Sequence, residues 1–467
     1  MRPLTLSQIT GWVGGVWESG QADPVVKRVS TDSRENLKDA LFVPLIGERH
    51  DAHTFLDQAF ANGAAAALCA RPSLTAGGPL VRVDDTLVAL QRLATMYRAS
   101  LSPFLAIGVT GSNGKTSTKD LLAGVLAQSY AVHATRGNLN NHIGVPLTVL
   151  GIEPHHTAGI FEMGMNHFGE IAPLAAIAQP RVAVITNIGT AHIEFLGSRE
   201  GIALEKGRLI EAIPADGFVV LNADDDMTPS LAARSAAPVI TAGLTAGQVR
   251  AQAIHGSSFE LALPGHPPLR TELTVPGRHM IGNALLAAAV AWRLGLPPDD
   301  IRHGLQTSRL HAGRLQFRET GGLRFLDDSY NANPDSMAAA LRTLADQPVA
   351  GRRIAVLGGM GELGSHAAEG HRAVGRAAAD TRVDFLLTVG DDDSRLIHHA
   401  FAQAEQSHHC ASAQEAAAWL RSHASPADLI LLKGSRSAAM ERVLAVLSAA
   451  EAGSKPPPIS TEPSPTP

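Results

Sequence analysis

The chain has 467 residues, enough for about three domains that each bury a core. Hydrophobic residues make up 45% and charged residues 18%, which excludes a disordered chain. A net charge of −5 and only 4% aromatics argue against a nucleic-acid partner, which needs a basic face and stacking surfaces.

Cys69 and Cys410 stand far apart and belong to no metal-spaced pair, so a reducing, cytoplasmic setting is expected. Residues 1–12 lack a basic-then-apolar leader, and no apolar run approaches a membrane span. No membrane insertion is therefore expected. The histidine runs at 155–156, 398–399 and 408–409 read as surface.

Residues 1–100 form a first unit, with a helix expected over 87–100 before Ser102-Pro103. A second unit, 101–312, opens on a strand at 104–109 and holds an Ala-rich helix expected over 283–294. A third unit spans 313–453. The segment 454–467 is Pro/Ser/Thr-rich and reads as a disordered tail. Short apolar runs ending in Gly, Asn or Asp recur: FLAIGVTG, VAVITNIG, FVVLNADD, RIAVLGG, FLLTVGDD and LILLKGS. They alternate with Ala/Leu-rich helical segments, which predicts an α/β class with buried parallel strands.

The sharpest motif is GVTGSNGKTST, residues 108–118, between a strand and the helical segment KDLLAGVLAQ. This is the context of a phosphate-binding P-loop, so ATP binding is expected. Gly111, Ser112, Asn113 and Gly114 would turn backbone N–H groups toward phosphate. The helix N-terminus at Lys115, Thr116 and Ser117 would add positive potential. Lys115 would reach the β/γ-phosphates, and the Thr116 hydroxyl would ligate Mg²⁺. The standard pattern places Gly at position 109, where this chain has Val109.

Glu162 and His192 end two later strand-like runs. Strand ends on one edge of a parallel sheet would face the loop, so both are candidate Mg²⁺ partners. Arg314, at the join to the third unit, could stabilise a transferring phosphoryl group; an interdomain ion pair is the alternative. Gly359-x-Gly361-x-x-Gly364 follows a strand and satisfies a dinucleotide fingerprint, which admits a nicotinamide-dependent oxidoreductase as a rival.

Taken together these segments resemble the Mur ligase family over nearly the whole chain apart from the tail. The shared pattern covers TGSNGKTS (110–117), FEMGMN (161–166), NIGTAH (187–192), EKG (205–207), PGRHMIGNALLAAA (276–289) and Gly313-Arg314. More specific likeness lies in residues 30–55, GNLNNHIGVPLTVL (137–150), DDSYNANPDSMAAAL (327–341), VLGGMGELGSH (356–366) and LLKGSRSAAMERV (431–443). These resemble the members that add D-alanyl-D-alanine to UDP-N-acetylmuramoyl-tripeptide in peptidoglycan precursor synthesis.

The resemblance implies three domains: an N-terminal one for the UDP part, a central P-loop ATPase-type parallel sheet, and a C-terminal Rossmann-like domain for the dipeptide. It also implies that Lys206 is carried as a carbamate, a carboxylate-like Mg²⁺ partner. Asn283 would contact adenine, Arg314 phosphate and Asp328 ribose. Ser33, Arg34, Asn138 and Asn141 would meet the UDP substrate, and Tyr330 and Asn331 the dipeptide. A monomer is expected. The chain departs from the family at Met280, where Asn is usual, at Gly359, where Asp is usual, and at Ala52, where Gly is usual. Gly359 is what creates the apparent dinucleotide fingerprint. Rivals are a sister Mur enzyme, a folylpolyglutamate-type ligase, the oxidoreductase, and an inactive ATP-binding scaffold.

Overall fold

A computed structural model describes residues 1–17, 23–48, 50–71 and 76–451. The expected tail at 454–467 lies outside the described residues. Among the described residues the centre is a nine-stranded sheet. Its order is Leu269–Glu272, Ser258–Ala262, Val249–His255, Val239–Gly243, Phe218–Asn222, Val182–Ile185, Leu105–Thr110, Ala158–Glu162 and Val132–Ala134. All neighbours pair in parallel except the two hairpin-type pairs at the Leu269–Glu272 edge. Strands such as Val182–Ile185 and Ala158–Glu162 are buried along their whole length. Helices cover both faces, so unbroken apolar runs form these strands instead of alternating ones.

Val109 sits fully buried in the middle of this sheet, paired with Glu162 on one side and Val184 on the other. That is a core position, which accounts for a β-branched residue where the phosphate-loop pattern places glycine. Gly108 beside it has no spare room: a Cβ there would lie 2.8 Å from Leu209 Cδ1.

The Ala-rich helix is longer than expected. It spans Arg278–Arg293, beginning five residues before Asn283. Gly277 ends the preceding chain at φ 115°, so the helix starts directly after it and takes His279 and Met280 into its first turn. Its small residues, Ala284 and Ala287–Ala289 among them, are fully buried. Small side chains let this helix lie close against Lys115–Leu126, the helix that follows the phosphate loop.

The first unit holds a four-stranded parallel sheet, Arg28–Ser30, Ala40–Phe42, Ala66–Cys69 and Leu80–Arg82. The helix that follows spans Thr86–Ala99, with Asp85 capping its first turn. The third sheet runs Gln316–Thr320, Leu323–Asp328, Leu429–Lys433, Arg353–Gly358, Phe385–Val389 and Ser407–Cys410. Only its first pair is antiparallel.

The histidine runs are less superficial than expected. His155, His399 and His408 are exposed, but His156, His398 and His409 are half-buried by packing against neighbouring rings. His371 is fully buried.

Candidate active site

The strand Leu105–Thr110 ends at Gly111, and the helix Lys115–Leu126 begins four residues later. Two of the loop's glycines are obligatory. Gly111 has φ 150°, and a Cβ would sit 1.9 Å from Thr186 Oγ1. Gly114 has φ 78°, and a Cβ would meet Asn283 Oδ1 at 2.4 Å. The next strand's end clamps the loop from the side. Asn187 Oδ1 accepts from Asn113 N at 2.9 Å, and Gly189 N donates to Ser112 Oγ at 2.9 Å. Lys115 Nζ turns back on the loop, donating to Gly111 O and Ser112 O at 2.8 and 3.3 Å. Burial lowers its pKa, so it holds its charge at a cost that a phosphate would offset.

Glu162, at the end of its strand, and His192, in the loop after Val182–Ile185, reach the same cleft from the two strands that flank Leu105–Thr110. Glu162 is 2% exposed; Asn140 Nδ2 donates to its Oε1 at 2.9 Å, while Oε2 has no partner. His192 stands at φ 64°, a left-handed conformation unusual for a residue with a side chain. Burial lowers its pKa and favours the neutral ring, the form that binds metal. Among the described residues no three His, Cys, Asp or Glu side chains converge as a self-sufficient metal cage. A site of this kind suits an ion that keeps waters and shares phosphate oxygens, as Mg²⁺ does. Lys206 is wholly buried, and its Nζ has no hydrogen-bond partner. Burial, with the charge of Lys115 nearby, pushes its pKa well below the ordinary lysine range.

The third unit closes over this centre. Arg314 Nη2 donates to Thr116 Oγ1 at 3.2 Å, and its guanidinium lies 4.3 Å over the Tyr330 ring. Arg314 Nε is buried without a partner. Asn333 Nδ2 donates to Asn113 Oδ1 at 2.7 Å. Asp335 Oδ2 accepts from Thr190 N and Thr190 Oγ1 at 2.8 and 2.9 Å. Asp328 pairs with the buried Lys433 Nζ at 2.6 Å, and Lys433 also donates to Asn331 O at 2.9 Å. The resulting cleft has a volume of about 1770 Å³. That exceeds the roughly 300–1,000 Å³ of a single small-molecule pocket and leaves room for more than one ligand.

The Mur ligase middle domain matches residues 109–291, and the Mur ligase glutamate ligase domain matches residues 313–436. The UDP-N-acetylmuramoyl-tripeptide–D-alanyl-D-alanine ligase of Escherichia coli (strain K12) is 38% identical over 460 residues, covering 96% of this chain and 99% of that protein. The chain belongs to the Mur ligase family. A crystal structure of MurF from Acinetobacter baumannii superposes with a TM-score of 0.89 at 34% identity, covering 96% of this chain and 99% of that one. The Thermotoga maritima MurF ligase in complex with ADP superposes with a TM-score of 0.81 at 28% identity, covering 90% and 97%.

In this Mur ligase the cleft gathers the residues at 112–117 with Glu162, His192, Asn283, Arg314, Asp328, Tyr330 and Asn331. Gly111 joins them as the hinge of the loop. Lys206 lies beneath, outside the lining. Asn138 and Asn141 also line the cleft; Asn141 Oδ1 caps the helix Gly144–Leu150 by accepting from Ile143 N and Gly144 N. Ser33 and Arg34 lie apart on the first unit, Ser33 hydrogen-bonded to Gln58 and Arg34 ion-paired with Asp32. Met280 is buried, and its Sδ lies 3.8 Å from Asn283 Nδ2.

The glycine fingerprint does not form a dinucleotide loop. Its glycines lead into a 3-10 turn, Gly364–His366, and the long helix starts only at Ala367. The buried His371 Nε2 accepts from Met360 N at 2.9 Å, using an N–H that a pyrophosphate would need. Sequence reasoning missed Asn140, Lys433 and Glu362. Asn140 lies in GNLNNHIG between Asn138 and Asn141. Lys433 lies in LLKGSRSAAMERV and Glu362 in VLGGMGELGSH, and only the fold brings them to the site.

Proposed function

We propose that this chain joins D-alanyl-D-alanine to UDP-N-acetylmuramoyl-tripeptide at the expense of ATP, as a step in peptidoglycan precursor synthesis. The observation that carries this reading is the closure of Arg314 onto Thr116 at the mouth of the phosphate loop. It brings the third unit against the phosphate loop, which supports a role for Arg314 at the phosphate that is transferred. The E. coli relative, matched almost end to end, bears the name of this activity.

A carboxylate is a poor electrophile, so it needs a leaving group. The tripeptide carboxylate attacks the γ-phosphorus of ATP; the bond to the β-phosphate oxygen breaks, giving an acyl phosphate and ADP. The dipeptide nitrogen then attacks the acyl carbon, and the C–O bond to phosphate breaks. Of the two protons the ammonium loses, one ends on phosphate and one in solvent. Lys115 and Arg314 offset the repulsion between two approaching anions. Closure of the third unit excludes water that would hydrolyse the acyl phosphate.

Thr116, Glu162 and His192 would hold Mg²⁺, which when bound neutralises phosphate charge. The unpartnered Glu162 Oε2 supports this. The unpartnered Lys206 amine, whose pKa burial lowers, fits carbamylation: the neutral amine nitrogen adds to CO₂ and releases one proton, which leaves an anion in place of an amine. Ser33, Arg34, Asn138 and Asn141 are assigned to the UDP substrate, Asn283 and Asp328 to the nucleoside, and Tyr330 and Asn331 to the dipeptide. No described helix is long and apolar enough to cross a membrane. Both cysteines are free and buried, which fits a reducing compartment. The test is phosphate release with ATP, UDP-tripeptide and D-alanyl-D-alanine, each omitted in turn. Release that ignores the dipeptide would remove the reading.

A further inference from the structure

We propose that the carboxylate of Glu362 receives the ammonium group of the incoming dipeptide and holds it beside the phosphorylation centre. This rests on the ligase reading above. A free dipeptide carries an ammonium near neutral pH. Its nitrogen must come within bonding distance of a carbon activated next to Lys115 and Arg314. Two cations already stand there, so a third will not stay without an anion facing it.

Most acids lining the cleft are already engaged. Asp328 is tied to Lys433 at 2.6 Å, and Asp335 to Thr190 at 2.8 Å. Glu441 is paired with Arg436 at 2.7 Å. Asp391 caps the helix Asp392–Phe401. Glu162 lies on the central sheet, at the metal side. Glu170 accepts from Asn166 N at 2.7 Å, and Asp393 sits in the first turn of the helix Asp392–Phe401, where the helix end offsets its charge.

Glu362 differs from these in its contact with His192 and its closeness to Lys115. It comes from the third unit, the one assigned above to the dipeptide, and its side chain lines the cleft and is 47% exposed. Its Oε2 lies 2.8 Å from His192 Nδ1, a contact that lowers the pKa of the carboxyl and keeps it charged, while Oε1 has no such contact with His192. Among the described residues no other group donates to this carboxylate. It lies close enough to Lys115 for each charge to act on the other.

The backbone fixes this position. Glu362 stands at φ 59° and His192 at φ 64°, so both partners are held in the left-handed region by their loops. Strain of this kind persists where surrounding structure enforces it, and it often marks functional sites. The loop is braced from below by Met360 N on His371 and from the side by Ser435 N donating to Gly359 O at 3.0 Å. An ammonium–carboxylate contact is charge-assisted, and its strength depends on such fixed geometry.

The experiment separates the two half-reactions in Glu362→Gln and Glu362→Asp. Hydroxylamine traps an acyl phosphate as a hydroxamate without any dipeptide, and this also shows that the variants are folded. Glu362→Gln is expected to form hydroxamate from ATP and UDP-tripeptide at close to the wild-type rate. Its KM for D-alanyl-D-alanine should rise about ten-fold or more, with Glu362→Asp between the two. An unchanged KM for the dipeptide would overturn the proposal. So would parallel loss of hydroxamate and coupling, which would make Glu362 a support for His192. If the wild-type enzyme forms no hydroxamate, the ligase reading itself fails, and this inference goes with it.

Discussion

Arg314 and Thr116 are 198 residues apart in the chain, yet Arg314 Nη2 donates to Thr116 Oγ1 at 3.2 Å. One residue opens the third unit and the other begins the helix of the phosphate loop. The guanidinium is stacked 4.3 Å over Tyr330, so a flat cation is held at the loop from the opposite side of the cleft. Lysine has charge but neither a plane to stack nor a fork of donors. Arg314→Lys is therefore expected to lower kcat by about 10- to 100-fold, with a smaller change in the KM for ATP. Tyr330→Ala should produce part of the same loss, because it removes the shelf under Arg314. Steady-state kinetics on both variants checks this, and full activity in Arg314→Lys would show that only charge matters.

Gly114 joins the phosphate loop to the long Ala-rich helix. A Cβ at this position would collide with Asn283 Oδ1 at 2.4 Å, and φ 78° is already costly for alanine. Gly114→Ala is expected to abolish measurable nucleotide binding and to destabilise the protein by about 1–3 kcal/mol. Calorimetric titration with a non-hydrolysable ATP analogue, together with a denaturant melt, reads both effects. Wild-type affinity in this variant would mean that the loop accommodates the methyl group by moving Asn283.

The contrast between these two sites shows what was legible before folding. The phosphate loop is local: strand, turn and helix follow one another, and Gly111, Gly114 and Lys115 are spaced by the backbone itself. The apolar runs that form the strands are local too, because a strand buried on both faces needs no partner to be recognised. The contacts that complete the cleft are of another kind. Asp328 and Lys433 come from separate segments and meet at the ends of neighbouring parallel strands, whereas His192 and Glu362 follow strands of two different sheets and meet only where the second and third units face each other. Nothing in the spacing of Glu362 distinguishes it from a surface acid. The glycines around it pointed to a dinucleotide loop, because the pattern cannot tell whether Met360 N is free or taken by His371. The start of the Ala-rich helix was misplaced for a similar reason. The Ala-rich run marks the helix only from Asn283, whereas the helix begins directly after Gly277, which stands at φ 115°.

Glu162 presents one satisfied oxygen and one buried oxygen without a partner. An amide in its place would keep the shape and lose the charge that a divalent cation requires. Glu162→Gln is expected to raise the Mg²⁺ concentration needed for half-maximal activity about ten-fold or more. A Mg²⁺ titration at saturating ATP measures it. An unchanged titration would assign the unpartnered oxygen some other role.

Lys206 gives the sharpest dependence on pH. Its amine is wholly buried and unpartnered, and burial with the charge of Lys115 holds its pKa well below the usual 10.5. The unfolded chain therefore binds a proton that the folded chain does not, throughout the window from the lowered folded value up to 10.5. Stability must rise with pH across that window, by at most about 1.4 kcal/mol per pH unit from this one group. Lys206→Met keeps the volume and removes the proton. In buffers stripped of CO₂, the wild-type protein is expected to gain stability relative to Lys206→Met as pH climbs from 7 toward 10. A flat difference would mean that the folded protein keeps the ammonium charged. With bicarbonate added, a carbamate on Lys206 would take up the neutral amine and stabilise the wild type further, while Lys206→Met cannot respond. The same variant should lose ligase activity by about 100-fold if the carbamate contributes to charge balance at the phosphates. Bicarbonate that shifts both proteins equally would place its effect elsewhere in the molecule.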